Sequence, residues 1–389
     1  MISGIYNSKV VSDNGKIVNI DSGSFADIKT GATTLISTES GINDTLLLCY
    51  SKLNEYVELS YIFDAVYANN ISAPNSIWTE IYQHTQNEYP ENEKIFSLWA
   101  DAYEIIYKTN LIIESAEIII SDELIFNKII GQAKAIRAYL FYNLMTWFGE
   151  IPIETATSES LIPRNTLVEV FTQIKEDATA AINSLPLKWS TVDNFRIPKS
   201  FMLGLLARIN LTDLRLPYSW PPQEDYPYNY NDVISTAQQV INSSIYTLNN
   251  ETNKFSVSDP EIIWGFEKNN NNEFNDIFTK GSYVPVLRLT EIYLIMAEAL
   301  YQTGNTIDAV SYINLLNFRR SNPIVVSITP DEIFQHWNTE LDLEGSMFIT
   351  LRRFNKALSV VQNDLAKFLL PVPHSVILKN PNWTQNIGY

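Results

Sequence analysis

The sequence predicts an all-α fold: one domain over residues 1–389, built from repeat-like helical hairpins with loop excursions and few short strands. Three observations carry that prediction. Helical periodicity recurs over most of the chain. Proline and glycine interrupt it at helix-sized intervals. One stretch, Gly131 to Ile153, reads as a helix that is apolar on two sides.

That stretch, GQAKAIRAYLFYNLMTWFGEIPI, sets the frame. Gly131, Ala135, Ala138, Tyr142 and Met145 fall on one stripe at steps of four and three, and Ile130, Ala133, Phe141, Leu144 and Phe148 make a second. A helix apolar on two sides packs between neighbours rather than lying on a surface. Its small residues let other backbones approach. Gly149 sits where a left-handed C-terminal cap belongs, with Pro152 just beyond. Arg137 interrupts the apolar stripe. A buried guanidinium needs partners for its donors, so Arg137 reads as a structural residue holding a carboxylate or loop carbonyls, with a ligand contact as the alternative.

The remaining elements follow in order. Residues 1–40 are polar, irregular and rich in Gly, Ser and Thr, with room for short strands. Residues 43–67 turn helical, with Leu46, Leu47, Tyr50, Leu53 and Val57 on one side. Residues 68–96 form a loop excursion with a short helix near Trp78–His84. Helical periodicity resumes over 98–120, 126–148, 167–185, 199–214, 231–245, 289–303, 306–320 and 331–345. Short connections make antiparallel pairs of them, at about 98–148, 167–214 and 289–320, with 231–245 between and a C-terminal segment over 331–389. Two more excursions break the rhythm. One is RLPYSWPPQEDYPYNY over 215–230; the other, 246–287, holds a strand-like EIIWGF and an Asn run. Binding tends to live on such loops over a rigid scaffold.

The pair at 289–320 is the sharpest. Tyr293, Met296, Ala297, Leu300, Gly304, Ala309, Ile313 and Leu316 keep the spacing of a tetratricopeptide repeat, with small alanines where the helices touch and glycine at the turn. Other pairs look like degenerate versions, and no clean 34-residue period survives.

Composition excludes several function classes. There are 27 Lys and Arg against 44 Asp and Glu, a net charge of −17. Nucleic acid would be repelled, as would an anionic lipid surface. The single cysteine, Cys49, lies in an apolar helical stretch and rules out an intrachain disulfide or a cysteine metal site. Three dispersed histidines, His84, His336 and His374, argue against a His-rich metal centre. No metal or cofactor is expected. No apolar run reaches the roughly 18 residues of a spanning helix. The first residues do not look like a signal peptide, so a targeting segment is expected to have been removed if the protein is exported.

Four segments then line up. They are the helix ending in FGEIPI, LRLTEIYLIMAEALYQTGN with its following helix, TPDEIFQHWNTELDLEGSMFITLRRFNKA, and the ending FLLPVPHSVILKNPNWTQNIGY. In that order they resemble the SusD/RagB family of Bacteroidetes nutrient-binding lipoproteins, over residues 40–389. There are departures. His336 and Asn338 stand where charged residues are usual, and Ser346 where arginine is common, while Glu344–Gly345 and the basic pair Arg352–Arg353 are kept. Glu344 and Arg352 read as structural residues of the late core.

The resemblance implies a non-enzymatic glycan binder. It would be held at the bacterial outer membrane, on the cell surface, by an N-terminal lipid that Cys49 cannot carry. It would hand oligosaccharide to a SusC-like TonB-dependent transporter. Ligand residues do not carry over, because the family places them on variable loops. The candidates therefore come from composition, since sugar recognition needs an aromatic face beside amides and carboxylates. Tyr67, Asn69, Asn70, Trp78 and Tyr82 cluster in the first excursion; Tyr218, Trp220, Tyr226 and Tyr228 in the second; Trp264, Asn269 and Tyr283 in the third. Trp78 and Trp264 are the preferred platforms; the alternative is that they pin their loops to the helices. A helical-repeat scaffold for protein partners is the other function class. A glycosidase is the third, although no motif nominates its pair of carboxylates; Glu340, Asp342 and Glu344 make a poor catalytic set, because their spacing on a helix scatters Asp342 off the face of the other two.

Overall fold

The computed structural model describes residues 9–11, 17–19, 36–89, 91–157, 161–212, 229–250, 255–269 and 272–389. Near the N-terminus, β1 (Lys9–Val11) and β2 (Ile17–Asn19) pair antiparallel. The first long helix, α1 (Glu39–Tyr67), starts at Thr38, whose hydroxyl accepts from the Gly41 N–H. Asn75 caps the short α2 (Ser76–Tyr82) in the same way, and Asn92 caps α3 (Glu93–Ile119).

The helix that is apolar on two sides is α4 (Glu123–Phe148). Asp122 caps it by accepting from the Leu124 and Ile125 N–H groups. Gly149 ends it at φ 73°, donating its N–H to the Met145 carbonyl. Every residue from Ala135 through Phe148 is buried, because α4 packs against α3 on one side and α5 (Leu167–Ser184) on the other. The closest approach is at Gly131, where an added Cβ would lie 2.8 Å from the Ser184 Cβ. In a core packed this densely, truncating Phe141 to alanine costs about 3–5 kcal/mol.

Beyond α5, whose start is a Thr166–Glu169 capping box, the chain forms α6 (Lys199–Leu211) and α7 (Tyr230–Asn242), which pack on each other. The third excursion then makes a buried hairpin. Strand β3 (Ile262–Glu267) precedes α8 (Asn272–Ile277) and pairs antiparallel with β4 (Tyr283–Arg288). Gly265 faces Pro285 across the pair, and the register shifts on either side of Trp264. β4 runs directly into α9 (Leu289–Gln302), which packs on α10 (Thr306–Arg319) and on α7.

The predicted helix over 331–345 ends earlier. Here α11 (Pro330–Glu340) begins with a Thr329–Glu332 capping box and Pro330 in its first turn. It stops at Glu340 because Leu343 and Gly345 take left-handed backbone, φ 59° and 69°. The chain turns there into α12 (Met347–Arg353), α13 (Ala357–Val360), a 3-10 turn at Leu365–Phe368 and α14 (His374–Ile377).

Buried apolar side chains from Ile42 to Val372 form one connected core. Cys49 is a wholly buried member, and burial pushes its thiol up to about 12. Among the described residues no helix is long and apolar enough to cross a membrane.

Candidate functional site

Two of the three excursions meet on the structure. Both converge on one polar face, beside the turn that follows α11. Asn70, just beyond α1, is exposed and donates to Asp342 Oδ1 at 2.9 Å. Asn75 donates to Glu273 Oε1 on α8 at 3.2 Å, and the Trp78 indole N–H donates to the same oxygen. Lys94 lies 3.6 Å from the other Glu273 oxygen and 5.1 Å from the Trp78 ring centroid. Lys280 donates to the Asp342 carbonyl and reaches Glu344 at 3.2 Å. Behind this rim, Asn54 of α1 donates to the Glu267 carbonyl at 3.0 Å and to Asn269 Oδ1 at 3.3 Å. Buried Glu58 accepts from the Asn269 N–H at 2.8 Å, which anchors the start of the Asn run. The Asn275 amide completes the group by donating to the Asn269 carbonyl at 3.1 Å. The face therefore offers exposed Asn70 and Asn75 and half-buried Asn54, Asn269, Glu273, Asn275 and Asp342, with the ammonium groups of Lys94 and Lys280, a donor and acceptor set suited to hydroxyls.

The structure corrects the aromatic part of the expectation. Trp78 is 0% exposed and packs against Phe63, its ring edge-on at 6.1 Å. Trp264 is 1% exposed, lies among Tyr139, Phe201 and Phe266, and donates its N–H to the Phe195 carbonyl at 2.9 Å. Both indoles pin their segments to the core, since a large ring gains most by burying its area. The other buried rings behave alike. Tyr67 donates to the Lys367 carbonyl at 2.6 Å, and Tyr283 to the Gly265 carbonyl at 2.7 Å. None of the four offers a face to solvent. Tyr82 is half-buried against the core, whereas Asn69 and Asn70 are exposed. Asn69 takes left-handed backbone at φ 55°, which asparagine tolerates well. Tyr218, Trp220, Tyr226 and Tyr228 lie outside the described residues.

Several residues of the face were not candidates from sequence. Asn54 and Glu58 sit in the periodic part of α1, with nothing local to distinguish them from ordinary helix residues. Asn75 reads as a helix cap. Glu273 and Asn275 belong to the Asn-rich segment, whose polarity was visible but whose partners were not.

Beneath the face, charged groups are committed to structure. Arg288, 1% exposed, pairs with Glu344 at 2.7 Å and also binds Glu261 and the Glu340 carbonyl. Arg319 binds Glu261 at 2.9 Å and Glu340, and Arg320 binds Glu340 at 2.6 Å. Burial pushes the Glu261 carboxyl up, but Arg288 and Arg319 outweigh it and hold it below its ordinary value. Arg352 reaches the Thr146 carbonyl at 3.3 Å and lies over the Phe368 ring. Next to this network a cavity of about 50 Å³ is lined by Tyr61, Asp64, Tyr142, Arg208, Trp337 and Gly345, among others. Its charged groups are already paired: Arg208 with Glu291 and the Val286 carbonyl, and Asp64 with the Met347 and Phe348 N–H groups.

Comparison with known proteins agrees with this architecture. Residues 24–211 match a family described as starch-binding and associating with the outer membrane, and residues 213–364 match the SusD family. The starch-binding protein SusD of Bacteroides thetaiotaomicron is 35% identical over 121 residues, a stretch covering 27% of this chain and 21% of that relative. Among solved structures, a SusD-like protein from Bacteroides fragilis aligns with a TM-score of 0.77 at 16% identity, covering 93% of this chain and 99% of that one. A laminarin-binding SusD-like protein gives 0.75 at 17%, covering 91% and 100%. A putative sugar-binding protein from Bacteroides vulgatus gives 0.71 at 21%, covering 92% and 100%. At these identities the structures establish the shared fold, and the two family matches cover consecutive parts of the chain. The chain belongs to the SusD/RagB family.

Proposed function

We propose that the protein is a glycan-binding protein of the bacterial cell surface. It captures oligosaccharide on the face formed by Asn70, Asn75, Glu273, Asp342 and the amides behind them. It is anchored to the outer membrane by an N-terminal lipid and passes its ligand to a SusC-like TonB-dependent transporter. The observation that carries the reading is the convergence of two loop excursions into one amide-rich and carboxylate-rich face, on a chain whose family includes a starch-binding protein. A laminarin-binding protein of the same fold supports the same ligand class.

A binding role also fits the acids nearest to the late motif. Glu340 and Glu344 are buried and held by arginines and Lys280, so neither is free to act as a proton donor or nucleophile. Electrophoresis of the protein through native gels containing soluble starch, laminarin, xylan or mannan tests the reading. Retardation by one polysaccharide, with no release of reducing sugar, is expected. Unretarded migration in every gel, or hydrolysis of the polymer, contradicts it.

A further inference from the structure

The cavity beside the buried charge network holds more than the pairs that close it. Arg208 binds Glu291 and the Val286 carbonyl through Nε and Nη2 only. Arg353 binds Glu298 through Nε and Nη2, at 2.5 and 3.1 Å. Each guanidinium keeps its Nη1 unused, and both arginines line the cavity. The hydroxyls of Ser60 and Thr350, on residues 4% and 2% exposed, belong to the same walls and make no hydrogen bond among the described residues. None of these four groups is among the closed, unpartnered atoms such as Arg319 Nε, so all four stay open to a small occupant.

Size and charge restrict that occupant. A volume of about 50 Å³ is room for roughly four water-sized groups. The charges on the walls are already met: Arg208 by Glu291, Arg353 by Glu298, Glu344 by Arg288 and Lys280, and Asp64 by two backbone N–H groups. A charged occupant would be left unbalanced in a buried place. Tyr61, Leu211, Val286 and Ile349 add apolar wall. A neutral CH2OH group suits both kinds of wall. Its oxygen accepts from a guanidinium N–H and donates to a wall hydroxyl, while its carbon lies against the apolar side chains.

The turn after α11 carries both the cavity and the polar face. Asp342 stands on the face, and Glu344, Gly345 and Ser346 line the cavity. Lys280 holds the two together through the Asp342 carbonyl and the Glu344 carboxylate. We propose that the cavity takes the hydroxymethyl arm of a hexose unit in the glycan held on that face, so that hexose polymers are selected over pentose polymers. The proposal rests on the glycan-binding function put forward above. Water is the other source of the same chemistry, and the experiment separates the two.

Maltohexaose, laminarihexaose, mannohexaose and xylohexaose are titrated calorimetrically into the full chain. Xylohexaose lacks the hydroxymethyl arm. One of the three hexose sugars is expected to bind at least tenfold more tightly than xylohexaose. Two variants then address the cavity. Ser346→Leu fills it; the Ser346 side chain makes no capping bond, so α12 keeps its Asp64 contacts. Ser60→Ala removes one wall hydroxyl without adding bulk. With the melting temperature kept, Ser346→Leu should cut the hexose advantage below threefold, and Ser60→Ala should weaken hexose binding at least threefold. Should Ser346→Leu melt early, Ser60→Ala decides. Xylohexaose binding as tightly as the hexose sugars, or folded variants that bind like wild type, assign the cavity to water only. That result overturns the inference and leaves glycan binding standing. No binding of any of the four sugars overturns both.

Discussion

Arg137 and Asp177 meet as a two-point pair inside the helical core. Arg137 Nε reaches Asp177 Oδ2 and Nη2 reaches Oδ1, both at 2.7 Å, with the side chains 5% and 2% exposed. The remaining nitrogen, Nη1, donates to Asn110 Oδ1 at 2.7 Å. One arginine thus ties α3, α4 and α5 together, and its planar fork matches the carboxylate.

Removing one member should be costly. Arg137→Ala leaves the Asp177 carboxylate buried without its guanidinium and should lower stability by about 3–5 kcal/mol. Removing both, as Arg137→Met with Asp177→Leu, should cost less than the single change. Denaturant unfolding of the three proteins checks the order; a single variant as stable as wild type contradicts it.

Gly345 and Gly304 make a paired test of backbone against packing. Both take positive φ, 69° and 83°, but an added Cβ at Gly345 would lie 2.3 Å from the Tyr61 ring, while nothing lies within 4 Å at Gly304. The Tyr61 ring cannot swing aside freely, because its hydroxyl donates to the Pro285 carbonyl at 2.6 Å. Gly304→Ala should cost about 1–2 kcal/mol, the left-handed penalty alone. Gly345→Ala should cost clearly more in the same melting experiment.

Asp64 gives a pH prediction. Burial raises its carboxyl to about 6, against two backbone N–H groups that favour the charged form. A folded-state value above the unfolded one means extra stability below about pH 4, lost as pH rises through about 6. The stability difference between wild type and Asp64→Asn should therefore move against wild type by about 2 kcal/mol between pH 4 and pH 7. Unfolding free energies measured across that range should show this slope; a flat difference contradicts it.

Trp78→Ala and Trp264→Ala should act on the fold. Each empties a fully buried site and should cost about 3–5 kcal/mol. If either variant kept wild-type melting while losing glycan, the ring would be a ligand platform and the placement of the site would be wrong.

What the sequence revealed depended on periodicity. α4 was legible because its two apolar stripes leave no polar side, and α9 with α10 because small residues mark their contact. The hairpin of β3 and β4 was half visible. EIIWGF reads as a strand, but Pro285 inside YVPVLR hides its partner, since proline is unusual in a paired strand. It is accommodated opposite Gly265, beside a register shift. The buried tryptophans misled because loops carry no period, so composition alone cannot tell a ring that faces water from one that holds its loop down. Contacts such as Asn70 with Asp342, 272 residues apart, arise only from the fold.

The most direct test of the central claim is calorimetric titration of the polysaccharide that retards the wild type, as its hexasaccharide, into wild type and into Asn70→Ala/Asp342→Asn. Asn70 is exposed and Asp342 half-buried, with neither in the core, so melting should change by no more than about 1 kcal/mol. Affinity should fall at least tenfold, about 1.4 kcal/mol. Equal affinity in the two proteins would contradict the claim that this face holds the glycan.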